Sequence, residues 1–494
     1  MNIKKSYILP MLMAACSFAA CGGDDDPEPS PTPTPAVTAP TVVSTTPANN
    51  ATDVATGTVS VQVVYDKDVR MASDASLQPK VTGGTLSGAA SVSGKTLSLA
   101  VICPDYETKV TITLPKGLIG VTGALADEYS FSFTTAKKPE SPSANIANAP
   151  VVASTEQAKK LYSYFREQYG QKVISSVMAN VNWNNDCAEK VYKLTGKYPA
   201  MNCYDFIHVY VPKNNWINYN DSKPVTDWAN AGGIVQLMWH FNVPLSEDKV
   251  TAITGTGGDA NGNQAVTCTP SETTFRATNA LKEGTWENKW FYEQMDLVAD
   301  IILKLQEAGI AATWRPFHEA AGNAIAKQQA NWTKAWFWWG YDGAETYKKL
   351  WIAMFDYFKQ KGIRNLIWIW TTQNYNGNSS QYNQDTDWYP GDNYVDIVAR
   401  DLYGYTAAQN SREFSEIQAA YPNKMVVLGE CGHGDAGEQG KIGDCWTAGA
   451  RWGHFMVWYQ GGQGSTDTMC SDSWWKDAMS DPNVITRDQL PNLK

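Results

Sequence analysis

The chain has 494 residues, of which 43% are hydrophobic and 18% charged, enough apolar mass for two or three folded domains and too much for wholesale disorder. Its 50 acidic and 40 basic residues give a net charge of −10, which argues against a nucleic-acid partner, because such a partner needs a basic face. The 20 Trp and 24 Tyr fill cores in part, but so many suggest flat apolar platforms for a ligand.

The first twenty residues read as an address. Lys4 and Lys5 precede an apolar run, Tyr7 to Ala20, that ends in small residues, the layout of a secretory signal. The run is short for a membrane span, and no other stretch is long and apolar enough to cross one. Cys21 follows Phe18-Ala19-Ala20 and precedes Gly22-Gly23-Asp24-Asp25-Asp26. This resembles a bacterial lipoprotein signal, which implies lipidation of Cys21; Cys16, also after two alanines, is the alternative. The acidic run resembles the export signal of Bacteroides-type surface lipoproteins and implies a lipid-anchored, outer-membrane, cell-surface location. A plain signal peptide over 1–20 with a secreted product is the other reading. Removing Cys16 and lipidating Cys21 leaves seven of nine cysteines; the compartment permits disulfides, but pairing is not legible from spacing. No CxxC pair exists, which argues against a zinc ribbon or a thioredoxin-like site.

Residues 21–39 form a Pro-, Thr- and Asp-rich tether with nothing to bury. From 40 to 136 the texture changes to short alternating runs, such as Val59–Tyr65, Thr96–Val101 and Tyr129–Phe133, separated by Gly and Asn clusters. This predicts a β-sandwich. The stretch from Ser44-Thr45-Thr46-Pro47 to Phe133-Thr134-Thr135 resembles bacterial Ig-like modules. With few exposed-looking aromatics, it is expected to be a spacer rather than a sugar-binding module. A second linker covers 137–150.

From 151 to 494 apolar runs alternate with amphipathic helical stretches, the pattern of a parallel sheet. The predicted strands are Lys172–Ala179, Tyr198–Tyr204, Gly233–Trp239, Ala311–Phe317, Asn365–Trp370, Val395–Asp401, Lys424–Gly429 and His454–Tyr459. Helices are predicted between them, including Phe291–Glu307 and Glu345–Gln360. Eight such units predict a (β/α)8 barrel, with a doubly wound sheet as the alternative.

Active sites of this barrel lie at the C-terminal ends of its strands. The fourth strand ends Trp314-Arg315-Pro316-Phe317-His318-Glu319, and the seventh Leu428-Gly429-Glu430. Each puts a glutamate at one mouth, and paired carboxylates are what glycosidic cleavage needs. Structural ion-pair partners are the competing reading. Rival motifs fail. Four positions after His318 stands Gly322 rather than a second His, so no zincin site exists. Gly432-x-Gly434-x-x-Gly437 lacks the acidic partner of a dinucleotide fingerprint. No P-loop or GxSxG occurs, and His208, His240, His318, His433 and His454 show no metal spacing. His240 is expected to face the site and His454 to pack.

Five segments together carry a resemblance. They are Trp314–Glu319, Trp336-Phe337-Trp338-Trp339-Gly340, Met238-Trp239-His240-Phe241-Asn242-Val243-Pro244, Asp401-Leu402-Tyr403-Gly404 and Gly429-Glu430. Taken in chain order, from Met238 to Glu430, they make the chain resemble glycoside hydrolase family 26, whose best-known members are β-mannanases, over about 155–480. The resemblance implies a retaining enzyme that cleaves internal bonds of β-mannan polysaccharides. Glu319 would be acid/base and Glu430 nucleophile. His318 would orient in the site, Arg315 would hold a carboxylate, and Tyr403 would hydrogen-bond the nucleophile. Trp336 would line the site, His240 would contact the sugar beside the cleaved bond, and Trp458 would be the platform under the reactive sugar. Asp205 is expected either to touch a distal sugar or to cap a loop. Trp338, Trp339, Trp368 and Trp370 are expected in the core. No cofactor or metal is expected, and a monomer is. Two departures bear on substrate preference: seventeen positions separate Glu319 from Trp336, and Tyr459 follows Trp458 where some members have Arg. The long loops Thr251–Thr274 and Ala320–Ala335 are expected to decide endo against exo action and branch tolerance. Mixed-linkage glucan or xylan as substrate, an inactive surface glycan-binding lipoprotein and a structural adhesin are the alternatives.

Overall fold

The computed structural model describes residues 36–494 apart from 104, 138–144, 181–182, 212, 214–216, 255–264, 323–334, 374–384, 436 and 463. The signal segment, Cys21 and most of the tether lie outside the described residues, as do parts of both long loops. The chain divides into two compact units after Pro139.

The first unit holds two four-stranded sheets. One runs Val42–Thr46, Gly57–Tyr65, Thr96–Cys103, Thr85–Ser93, all antiparallel. The other runs Ala51–Val54, Tyr129–Thr135, Lys109–Leu114, Lys80–Thr82, with its first pair parallel. Alternation decides the inner faces: Val61, Val63, Leu97, Val101, Val110, Ile112, Phe131 and Phe133 are all buried in one core.

The second unit is a closed parallel barrel. Its strands are β1 Val173–Met178, β2 Met201–Asp205, β3 Ile234–Trp239, β4 Ala312–Pro316, β5 Leu366–Thr372, β6 Ile397–Tyr403, β7 Met425–Gly432 and β8 His454–Val457. Each pairs in parallel with the next, and β1 pairs with both β2 and β8, which closes the ring. The sequence places all eight within three residues of these bounds. That is because strands covered on both faces read as continuous apolar runs. A short strand, Val484–Ile485, adds to β1 outside the ring.

Helices cover the barrel's outside. They are α1 Glu156–Gln168, α2 Asp186–Thr195, α3 Lys223–Asn230, α4 Trp286–Glu307, α5 Ala344–Gln360, α6 Ala407–Ala420, α7 Ile442–Thr447 and α8 Asp472–Ser480. In α4 the Thr285 hydroxyl caps the first turn, and Trp290, Phe291, Met295, Val298, Ile302 and Leu305 form the buried stripe. Each such side chain contributes roughly 1.5–3 kcal/mol of burial. No described helix is long and apolar enough to cross a membrane.

Inside the barrel, Met178, Cys203, Met238 and Met456 form a small apolar cluster with Trp458 and Tyr459 packed on it. This layer is the floor beneath the C-terminal mouth. Trp338, Trp339, Trp368 and Trp370 are buried, as core residues should be. The first two also tie down strand ends. The Trp338 indole donates to the Phe241 carbonyl at 2.6 Å, and the Trp339 indole to the His318 carbonyl at 2.9 Å. Gly340 follows so close to the Ala320 backbone that no side chain fits there. The seven described cysteines are all free thiols.

Candidate active site

Arg315 on β4 is the hub. Its side chain has no exposed surface. One guanidinium nitrogen donates to both Asp401 oxygens, at 3.0 and 3.3 Å, and to Thr371 Oγ1 at 3.1 Å. The other donates to Glu430 Oε1 and lies 3.8 Å from Met238 Sδ in the floor. Backbone features make this approach possible. The β6–β7 register slips between Arg400 and Asp401, so Asp401 stands beside Glu430 instead of Gly429. At Gly429, a Cβ would come within 2.7 Å of Asp401 Oδ1 and 2.9 Å of the Ala399 Cβ, so only glycine leaves room for the carboxylate.

Glu430 is held from three sides. Tyr403 donates its hydroxyl to Oε2 at 2.6 Å, Arg315 donates to Oε1, and His318 Nε2 lies 3.8 Å from Oε1. Burial, with His240 and Arg315 adding to it, holds His318 well below its ordinary pKa, so it is neutral here.

Glu319 follows β4 on a strained turn. It has φ of 50° and Phe317 has φ of 47°, the left-handed region that side chains avoid, at roughly 1–3 kcal/mol each. The carbonyls in this turn are pinned by the Trp339 indole and by the Tyr347 hydroxyl, which donates to Phe317 O at 3.1 Å. The Glu319 carboxyl is pushed well above its ordinary pKa, first by burial, then by the charges of Asp401 and Glu430; it also hydrogen-bonds Asp401. Asp401 is pushed up as well, to about 7, chiefly by burial, with Arg315 opposing. Arg315 is committed to Asp401 and Glu430, so the proton of this group belongs on Glu319. One oxygen from each of Glu319, Asp401 and Glu430 lies within 4.8 Å of the others. Three clustered carboxylates also suit a cation, but here Arg315 supplies the positive charge to two of them.

On the far side of the mouth, the imidazole of His240 stands edge-on to His318, with centroids 4.4 Å apart. It is flanked by Phe337 and Trp458, each 5.7 Å away. Trp458 is half-buried on the methionine floor, the position of a platform. Trp336 is 42% exposed, one residue before Phe337, on the loop beyond β4. His454 is buried near Phe165, away from these groups.

Of the two expectations for Asp205, the loop cap is the one the geometry matches: its carboxylate has no exposed surface for a sugar, accepts the backbone N–H of His240 just after β3 and also meets the His240 ring. Asp401 stands in the sequence only as part of the Asp401–Gly404 segment, yet it lies in the acidic cluster with Glu319 and Glu430. A polar residue at a strand end was its signal; its role depends on the β6–β7 slip, which the sequence does not display. Phe337 was also missed, its ring meeting both His240 and His318.

A parallel barrel with a proton-carrying glutamate after β4 and an arginine-held glutamate on β7 defines a barrel glycoside hydrolase. Residues 151–489 match glycosyl hydrolase family 26, and the chain belongs to that family. Residues 36–135 match a bacterial Ig-like domain. The chain is 55% identical to the GH26 domain of an endo-β-mannanase/endo-β-glucanase from Prevotella bryantii, covering 70% of this chain and 99% of that one, with a TM-score of 0.65. It is 31% identical to a β-mannanase from a symbiotic protist of the termite Reticulitermes speratus, solved with a gluco-manno-oligosaccharide, covering 70% and 99%, with a TM-score of 0.53. Mannan endo-1,4-β-mannosidase B of a Piromyces species is 28% identical over 357 residues, 68% of this chain and 52% of its own. The chain thus spans about half the length of that curated relative.

Replacing Asp401 with Asn removes a negative neighbour of Glu319, trades a charged hydrogen-bond acceptor for a neutral amide that can donate to the Glu319 carboxylate, and leaves Arg315 less neutralised. All three changes lower the Glu319 pKa. The form with a proton on Glu319 is therefore lost at lower pH as pH rises, so the alkaline limb of kcat/KM should move to lower pH in Asp401→Asn. An unmoved or upward-moved limb contradicts the assignment.

Proposed function

We propose that the chain is an endo-acting β-1,4-mannanase that cleaves mannan, galactomannan or glucomannan with retention of anomeric configuration. The observation that carries this is the asymmetric pair: a protonated Glu319 and an arginine- and tyrosine-held Glu430 with oxygens within 4.8 Å. Retaining glycosidases hold their carboxyl groups about 5–5.5 Å apart, whereas inverting ones leave about 6.5–9.5 Å for a water.

The chemistry follows from that asymmetry. Glu430 attacks the anomeric carbon while Glu319 gives its proton to the leaving oxygen, which produces a covalent glycosyl-enzyme. With its proton gone, Glu319 takes one from water, which attacks the same carbon and releases Glu430. Tyr403 and Arg315 fix the two oxygens of the nucleophile, so the attacking lone pair is aimed before substrate binds. Trp458 offers the apolar face under the reacting sugar.

Mannan as substrate is supported by the names of the relatives above. The name of the whole Prevotella GH26-GH5A enzyme, of which this chain matches the GH26 part, also includes endo-β-glucanase, and a β-glucan is the second reading. Lipid anchoring at the cell surface through Cys21 belongs to the same proposal, supported by the layout of residues 4–26.

Incubation with galactomannan, glucomannan, unbranched mannan, xylan and mixed-linkage glucan should give a ladder of manno-oligosaccharides from the mannans alone. Glu319→Gln should lose several orders of magnitude in rate on polysaccharide with its Tm little changed. A ladder from glucan or xylan only would overturn the substrate, and near-wild-type activity in Glu319→Gln would overturn the mechanism. For the anchor, Cys21→Ala should move the protein from the membrane to the soluble fraction of its host; continued membrane association would contradict lipidation at that residue.

A further inference from the structure

We infer that Asp205 is a positioning residue, which acts on the sugar through His240 by fixing which way its imidazole points. The reading of the cleft as a β-glycan site is assumed here. Asp205 ends β2 with a side chain that has no exposed surface, and His240 follows β3 with its side chain 14% exposed. One Asp205 oxygen accepts the His240 backbone N–H at 2.9 Å, and the other meets Nδ1 at 2.5 Å. Two bonds from one carboxylate fix both the backbone and the ring of the same residue. The Asp205 carbonyl is itself held, by the Tyr219 hydroxyl at 2.7 Å.

The ring edge bound to Asp205 is buried, so the exposed edge is the opposite one, which carries Nε2. His240 also lines a cavity of about 340 Å³, together with His208, Tyr210, Asn242 and Cys268. His318 and Trp458 stand on the catalytic side of the same ring. His240 therefore borders both His318 beside the reacting carboxylates and a space large enough for a sugar residue. A carboxylate on Nδ1 keeps the proton there and presents Nε2 to a sugar hydroxyl. The pairing also sets the charge. Burial alone pushes the His240 pKa down, but Asp205 reverses this and the net direction is up, with Glu430 adding and Arg315 opposing. The other titratable neighbours are His208, after β2, and His318, after β4.

The test uses the full chain with ¹⁵N-labelled histidine, its five His signals assigned with a His240→Gln variant. In Asp205→Asn, the His240 titration midpoint should fall, because the charge and hydrogen bond that raise it are gone. A midpoint that stays in place overturns the proposal. This readout needs no substrate, so it stands even where the mannan reading fails. A kinetic cycle adds the functional arm, run on whichever glycan the wild type cleaves. Asp205→Asn should lower kcat/KM roughly 10–100-fold, as for partners that fix a working imidazole, and Asp205→Glu should restore part of it. In a His240→Ala background the same change should cost less than about 3-fold, because its target is gone. An equal loss in both backgrounds would mean that Asp205 only supports the fold. Tm values of all variants separate these outcomes from unfolding.

Discussion

A guanidinium with no exposed surface sits inside the barrel mouth, and the site is organised around neutralising it. A buried cation is costly unless it is paired and hydrogen-bonded on every side. The two terminal guanidinium nitrogens of Arg315 are paired in this way, with Asp401 from β6, Glu430 from β7, Thr371 from β5 and the Met238 thioether below, while its buried Nε has no hydrogen-bond partner. Removing one partner of such a pair typically costs about 3–5 kcal/mol, because the remaining charge is stranded. The glycine at 429 and the slip in the β6–β7 ladder follow from this need, since both bring the two carboxylates to one arginine.

The same arrangement distributes the roles of three acids. Two are committed to Arg315, so the proton stays on the third, Glu319, which no guanidinium nitrogen reaches among the described contacts. The turn that carries Glu319 is strained, and the aromatic segment after it supplies the restraint. Trp338 ties to the end of β3, Trp339 to the end of β4, and Phe337 lies against both histidines of the mouth. An aromatic cluster that reads as core in sequence is core in structure, and its indole N–H groups also set the position of the acid/base.

The barrel was legible because its strands are largely apolar runs, and Glu319 and Glu430 stand out as carboxylates that directly follow two of the predicted runs and their flanking residues. The strand ends were less legible. The ladder of β6 runs through Asp401 to Tyr403, and that of β7 through Glu430 to Gly432, so charged residues taken as strand ends lie within paired strand. The pairs Asp401–Arg315 and Asp205–His240 join residues 86 and 35 positions apart. They depend on register between neighbouring strands, which no local pattern encodes. Asp205, which ends a strand at the mouth, reads in sequence equally as a sugar contact or a loop cap. It is one layer deeper, holding the residue that lies closer to the cleft.

The central claim is that Glu430 attacks carbon directly, with Glu319 close enough to serve first as acid and then as base. The anomeric configuration of the freshly released reducing end, followed by ¹H NMR from the first minutes of cleavage, tests it most directly. The β-anomer should appear first and the α-anomer only later, by mutarotation. Initial release of the α-anomer would mean a single displacement by water, which contradicts Glu430 as nucleophile.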